Sequence, residues 1–156
     1  MSDLVIVGAG LIGCSFAAAA RDAGLFSRFL AIEPDPDAAV RARELGHVDE
    51  IVTEVPEQAA VLLAPPSHRI VDWLRQLTDH SGPVIDVGSV KGAVLRQLAA
   101  TAVKPPSGYV PCHPIAGGER SGPDAAVPTL FAGKLVVITP LVRTDPEMQA
   151  RVADWW

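Results

Sequence analysis

Cysteine is scarce in this chain: Cys14 and Cys112 are the two in 156 residues, too few for a disulfide framework. Free thiols in a reducing cytoplasm fit that count. Aromatic residues are also few, at 5%, while hydrophobic residues reach 49%. The apolar content therefore rests on Val, Leu and Ala, as suits an α/β protein. No apolar run approaches the ~20 residues of a membrane span, and the first residues read as a strand rather than a signal peptide, so no membrane partner is expected. There is no basic stripe, and the net charge of −5 argues against nucleic acid as a partner. Repeats and low-complexity segments are missing. Proline, by contrast, is plentiful: 14 residues, roughly 9% against a usual ~5%, many of them at strand ends and loops. The length fits one domain able to bury roughly two thirds of its unfolded surface.

The chain is organised around its beginning. Leu4-Val-Ile-Val7 reads as a strand buried on both faces. It runs into Gly8-Ala9-Gly10-Leu11-Ile12-Gly13, and the run Cys14 to Ala20 that follows is rich in helix formers. Strand, glycine turn and helix in this order give G-x-G-x-x-G its meaning as a dinucleotide turn. Gly8 permits the tight turn, Gly10 lets a pyrophosphate approach the backbone, and Gly13 lets helix and strand pack closely. The free N–H groups of Leu11, Ile12 and Gly13 at the helix start would face the phosphates. A second strand, Phe29 to Glu33, ends in an acid twenty residues after Gly13. That is the place of the carboxylate that binds the adenosine ribose. Such a carboxylate repels a 2′-phosphate and no arginine follows it directly, which favours NAD over NADP. Arg41 and Arg43, on the next helix, leave NADP open.

Further along, Pro34 to Asp37 is a turn and helix start, and Ala38 to Leu45 a helix stopped by Gly46. Val48 to Val52 is a short strand or turn. Ala59 to Ala64 is a buried strand ended by Pro65-Pro66. Ser67 then caps a helix whose stripe is Ile70, Val71, Leu74 and Leu77, with Trp73 beside it. Val84 to Val87 leads as a fourth strand into Gly88-Ser-Val-Lys91-Gly92, followed by a helix from about Ala93 to Ala102. Tyr109 and Val110 form a short strand, and residues 111–133 an extended functional loop with at most a short helix near Asp124 to Leu130. Leu135 to Thr139 is a last strand. The final helix starts near Thr144 or Asp145, and its two terminal tryptophans expect a partner surface.

This alternation implies a single-domain, doubly wound, mainly parallel Rossmann-type sheet. Ligands of such sheets sit beyond the carboxyl ends of the strands, at the switch point. Gly8, Glu33, Pro65, Gly88 and Pro111 would share that edge. Two stretches there go beyond cofactor binding: Asp86-Val-Gly-Ser-Val-Lys91, and His113-Pro-Ile-Ala-Gly-Gly-Glu-Arg-Ser-Gly122 followed by Leu130-Phe131. In these motifs, and over about the whole chain, the sequence resembles the prephenate and arogenate dehydrogenases of tyrosine biosynthesis.

The resemblance implies oxidative decarboxylation of a cyclohexadienol by hydride transfer to NAD. It makes His113 the acceptor of the substrate hydroxyl proton, a task suited to a neutral imidazole near pH 7. Ser89 orients His113 or touches the substrate. Lys91 is placed on the substrate side, and Glu119 and Arg120 at the entrance; no metal is implied. His47, His68 and His80 read as surface or structural residues. Cys112 reads as buried, because neighbours on an extended chain face opposite ways. Where many relatives have a larger residue, this chain has Gly118. Family enzymes continue into a mostly helical second domain that forms the homodimer and contributes an arginine for the substrate carboxylate. This chain is thus expected to be the cofactor domain. Two other readings stay open: a non-catalytic NAD(H)-binding module that docks a partner, and another Rossmann reductase of β-hydroxyacid or pyrroline-carboxylate type.

Overall fold

The chain folds around seven strands in the order β3-β2-β1-β4-β5-β6-β7. The computed structural model describes residues 2–156. β1 (Leu4–Val7) lies between β2 (Phe29–Ile32) and β4 (Ala60–Leu63), and β3 (Glu50–Ile51) flanks β2. On the other side follow β5 (Val84–Asp86), β6 (Tyr109–Pro114) and β7 (Val136–Ile138). All pairings are parallel except β6 with β7. The chain leaves β1 in one direction to build β2 and β3, then crosses back to β4, so the topological switch lies between β1 and β4.

Helices cover both faces, which is why the strands carry apolar residues at successive positions rather than alternate ones. Leu4 and Ile6 of β1 join a core with Phe16 and Ala17 of α1 (Leu11–Asp22) and Val152 of α5 (Pro146–Ala153). Val7, with Val61 and Leu63 of β4, faces the opposite core, formed by α3 (Ile70–Gln76) and α4 (Lys91–Thr101). The expected stripe of Ile70, Val71, Leu74 and Leu77 is buried there, with half-buried Trp73 against it. The fifth helix in space, α2 (Pro36–Glu44), follows β2 and is capped by Asp35, whose carboxylate accepts from the N–H groups of Asp37 and Ala38.

Several expectations are corrected. Ser67 caps nothing: it opens a 3-10 turn, Ser67–Arg69, that leads into α3 without a side-chain cap. The strand expected at Tyr109 and Val110 runs on to Pro114, because the β7 hairpin partner supplies an antiparallel ladder that pairs His113 with Val137. Pro111 lies within β6 opposite Asp86, level with the last residues of β1, β2, β4 and β5, so it shares the carboxyl edge as expected while its own strand runs on past it. The long loop is correspondingly shorter, and its helical part is one 3-10 turn, Pro123–Ala125. Of the two caps expected for the last helix, Thr144 or Asp145, Asp145 is the one that serves.

The tryptophans that close the chain find their partner surface on this domain. Trp156 lies 4.9 Å from Phe16 and 5.3 Å from Phe131 between ring centroids, and Trp155 lies 5.1 Å from Phe26. Among the described residues no helix is long and apolar enough to cross a membrane.

Candidate functional site

The glycine turn sits where β1 ends, and its three glycines serve three different needs. Gly8 has a φ of +95°, and a Cβ there would lie 2.7 Å from the Ala64 carbonyl oxygen. A Cβ on Gly13 would fall 2.3 Å from the Gly8 carbonyl oxygen and 2.7 Å from Ile6. Both are glycine because the protein itself fills the space. At Gly10 a Cβ would meet nothing within 4 Å. Its backbone faces open space at the start of α1, where Leu11, Ile12 and Gly13 form the first turn. An exposed backbone at a helix N-terminus, bare of side chain, is the surface a phosphate group needs.

Glu33 is bound to this turn. One carboxylate oxygen accepts from the Ala9 N–H at 2.7 Å and the other from the Asp35 N–H at 3.0 Å. The acid is thereby held beside the turn with lone pairs still available. A cavity of about 710 Å3 opens here, lined by Gly8, Gly10, Glu33, Pro65, Arg69 and Trp73 among others. It straddles the switch point between β1 and β4. Arg41 is engaged elsewhere: Nε and Nη2 both donate to one oxygen of Asp124, at 2.9 and 2.6 Å.

Ala64, Pro65 and Pro66 also wall a second cavity of about 330 Å3 that reaches His113. Its other walls include Leu11, Ile12, Gly88 and Ser89. A third, of about 500 Å3, shares Ser89 and His113 with the second and adds Lys91, Arg96 and Thr139. The carboxyl edge thus carries three adjoining spaces that run from Glu33 past Pro65 to His113. His113 is half-buried at the end of β6 while Cys112 points into the core, as alternation along a strand requires. No hydrogen bond joins Ser89 to His113; the two flank the same spaces, Ser89 from the loop after β5 and His113 from β6. Glu119 and Arg120 are exposed and line a separate hollow of about 330 Å3, which meets the His113 cavity at Leu11 and Gly118.

Sequence reasoning missed what holds the Ser89 loop. Asp86 is fully buried at the end of β5. Its carboxylate accepts from the Gly88 N–H at 2.9 Å and from the Tyr109 hydroxyl at 2.6 Å, and pairs with the Lys91 ammonium. Burial draws the Lys91 pKa down and Asp86 pulls it back up. Burial also pushes the Tyr109 hydroxyl far above its ordinary value, so it remains a donor. The signal was present as an acid inside Val-Ile-Asp-Val with a lysine five residues on. Burial raises the thiols of Cys14 and Cys112 to about 12, which removes both as nucleophiles near neutral pH. His47 bonds the Pro123 carbonyl and His80 that of Ala59, while His68 is exposed.

A sheet of this order, with a glycine turn and a tethered acid at its switch point, has the architecture of dinucleotide-binding domains. The chain is of that class. Comparison with known proteins narrows it: the family model described as "Prephenate dehydrogenase, nucleotide-binding domain" matches residues 16–156, and the chain belongs to that family. It is 31% identical to the prephenate dehydrogenase of Bacillus subtilis, over 94% of this chain and 42% of that protein. It is 32% identical to the cyclohexadienyl dehydrogenase of Zymomonas mobilis, over 98% and 54% respectively. The chain therefore spans about half the length of these curated relatives. Among solved structures, prephenate dehydrogenase from Aquifex aeolicus in complex with hydroxyphenyl propionate and NAD+ matches with a TM-score of 0.86 at 31% identity. That match covers all of this chain and 56% of the other.

Proposed function

We propose that this chain is the NAD-binding half of a cytoplasmic dehydrogenase that oxidatively decarboxylates prephenate or arogenate, with His113 as the proton acceptor. The observation that carries the reading is the continuity of the three edge cavities from Glu33 to His113. A dinucleotide is long enough to need the first two, and a substrate placed beside its reactive end would occupy the third.

The residues fit that cofactor. Gly10 leaves the backbone bare where a pyrophosphate would lie, and the Glu33 carboxylate stands where ribose hydroxyls would donate to it. NAD is preferred over NADP on charge: the Glu33 carboxylate at the cavity wall would repel a 2′-phosphate, and Arg41 is committed to Asp124. When bound, the nicotinamide supplies the hydride acceptor. The remaining work falls to the chain. Loss of hydride from the hydroxyl-bearing ring carbon, of a proton from that hydroxyl and of the ring carboxylate as carbon dioxide leaves an aromatic phenolate, which takes a proton back to become the phenol. His113 takes the hydroxyl proton from its place between the two cavities. Ser89, presented by the loop that Asp86 holds, touches the substrate. Leu11, Ile12 and Pro65 give the space apolar walls that limit water.

The test is the absorbance of reduced nicotinamide when the protein is mixed with NAD+ and either substrate. H113N should lower the rate by about 10²- to 10⁴-fold, the usual share of a general base, with NAD+ affinity unchanged. A variant as fast as the wild type would remove His113 from the chemistry.

A further inference from the structure

Past His113, the third cavity carries charge of one sign. Two cationic side chains, Lys91 and Arg96, line it, and no aspartate or glutamate does. The two cations are not equivalent. Lys91 is matched by the buried carboxylate of Asp86. Arg96, exposed on α4, makes neither an ion pair nor a hydrogen bond among the described residues.

Its direction is set by Gly92, one turn earlier. Helical side chains lean back toward the N-terminus, and the Arg96 guanidinium lies over the bare backbone there. A Cβ on Gly92 would come within 3.2 Å of Arg96 Nη1. The missing side chain thus lets the guanidinium reach the cavity wall that Ser89 and His113 share. A planar, unpaired guanidinium at a cavity wall is a fork suited to a carboxylate, and lysine matches that geometry poorly.

We propose that Arg96 is a specificity-determining residue that receives a carboxylate of the substrate, at the end remote from the hydroxyl facing His113. The ligand class is a six-membered ring acid carrying a para hydroxyl. The proposal rests on the reading of His113 given above. Two carboxylates could fill the role, one on the ring and one on the side chain, and the same chemistry recognises either.

Calorimetric titrations of the NAD+-saturated chain separate them. The probes are 3-(4-hydroxyphenyl)propionate, which keeps a side-chain carboxylate, 4-hydroxybenzoate, which keeps a ring carboxylate, and the neutral amide of each. At least one acid should bind the wild type about ten-fold more tightly than its amide, in keeping with one charge-assisted bidentate contact. R96M should erase that preference and R96K restore part of it, with NAD+ affinity equal in all three proteins. The acid that loses affinity identifies the carboxylate. An acid preference that survives R96M, or a wild type that shows none, overturns the proposal while leaving NAD+ binding intact. Failure of NAD+ to bind overturns the cofactor reading and this proposal with it.

Discussion

At the scale of residues, side-chain volume decides more than side-chain chemistry in the glycine turn. Gly13→Ala drives a methyl into the Gly8 carbonyl and Ile6, so it should lower stability by about 1–3 kcal/mol, as overpacking does, in urea denaturation. Gly10→Ala meets no protein atom and has ordinary backbone angles, φ −91° and ψ −165°. Its melting temperature should stay near that of the wild type while NAD+ affinity falls about ten-fold or more through lost backbone approach. Equal stability loss in the two variants would contradict the division of roles. Asp86 makes a separate case. Asp86→Asn leaves the Lys91 ammonium without its counter-charge in a site where its side chain is 12% exposed. Breaking such a pair from one side costs on the order of 3 kcal/mol, measurable in the same urea experiment. Removing a pair from both sides is milder, so Asp86→Asn combined with Lys91→Met should recover part of the loss.

At the scale of elements, what was legible followed from local patterns and what was not depended on distant partners. β1, β2, β4 and β5 are short Val, Leu and Ile runs bounded by glycine, proline or acid, and they lie within a residue of where those boundaries put them. The sequence shows only Tyr109 and Val110 of β6, because glycine and proline crowd the residues after them, and Pro111 and Pro114 lack the N–H a ladder uses. The strand continues because its carbonyls still serve: Pro111 accepts from the Thr139 N–H at 2.9 Å, from the β7 hairpin partner. The same blindness to distance hid the Asp86–Tyr109 bond, which joins residues 23 apart. It also left the partner surface of the final tryptophans unidentified: Ala19 and Ala20 of α1 and the capping Ala23 line the hollow beside Phe16 where they settle. Within the candidate site, Gly8, Gly10, Gly13, Glu33 and Pro65 were all readable from motif and spacing, and all lie at the carboxyl edge. Arg96 was not, since a lone arginine on a helix carries no pattern. The docking of α5 yields a further expectation. Trp156→Ala removes a ring packed on Phe16 and Phe131 and should cost about 3 kcal/mol, read as a lower urea midpoint with loss of helical signal.

At the scale of the whole molecule, the fold gathers its functional groups by topology. Residues as far apart in sequence as Gly8, Glu33, Pro65, Ser89 and His113 meet because parallel strands end on one side and the chain reverses direction between β1 and β4. The negative net charge of −5 would not work against the proposed anionic cofactor, because the surface offered to its phosphates would be backbone N–H at a helix start, and the cations Lys91 and Arg96 line the cavity at His113. Most of the account stands on one claim, that a dinucleotide occupies the edge between Glu33 and His113. Calorimetric titration of the chain with NAD+ and, separately, NADP+ tests it most directly. The expected result is one saturable site for NAD+, with NADP+ weaker by about ten-fold or more through repulsion at Glu33. Absence of saturable binding by either, or tighter binding of NADP+, would contradict it.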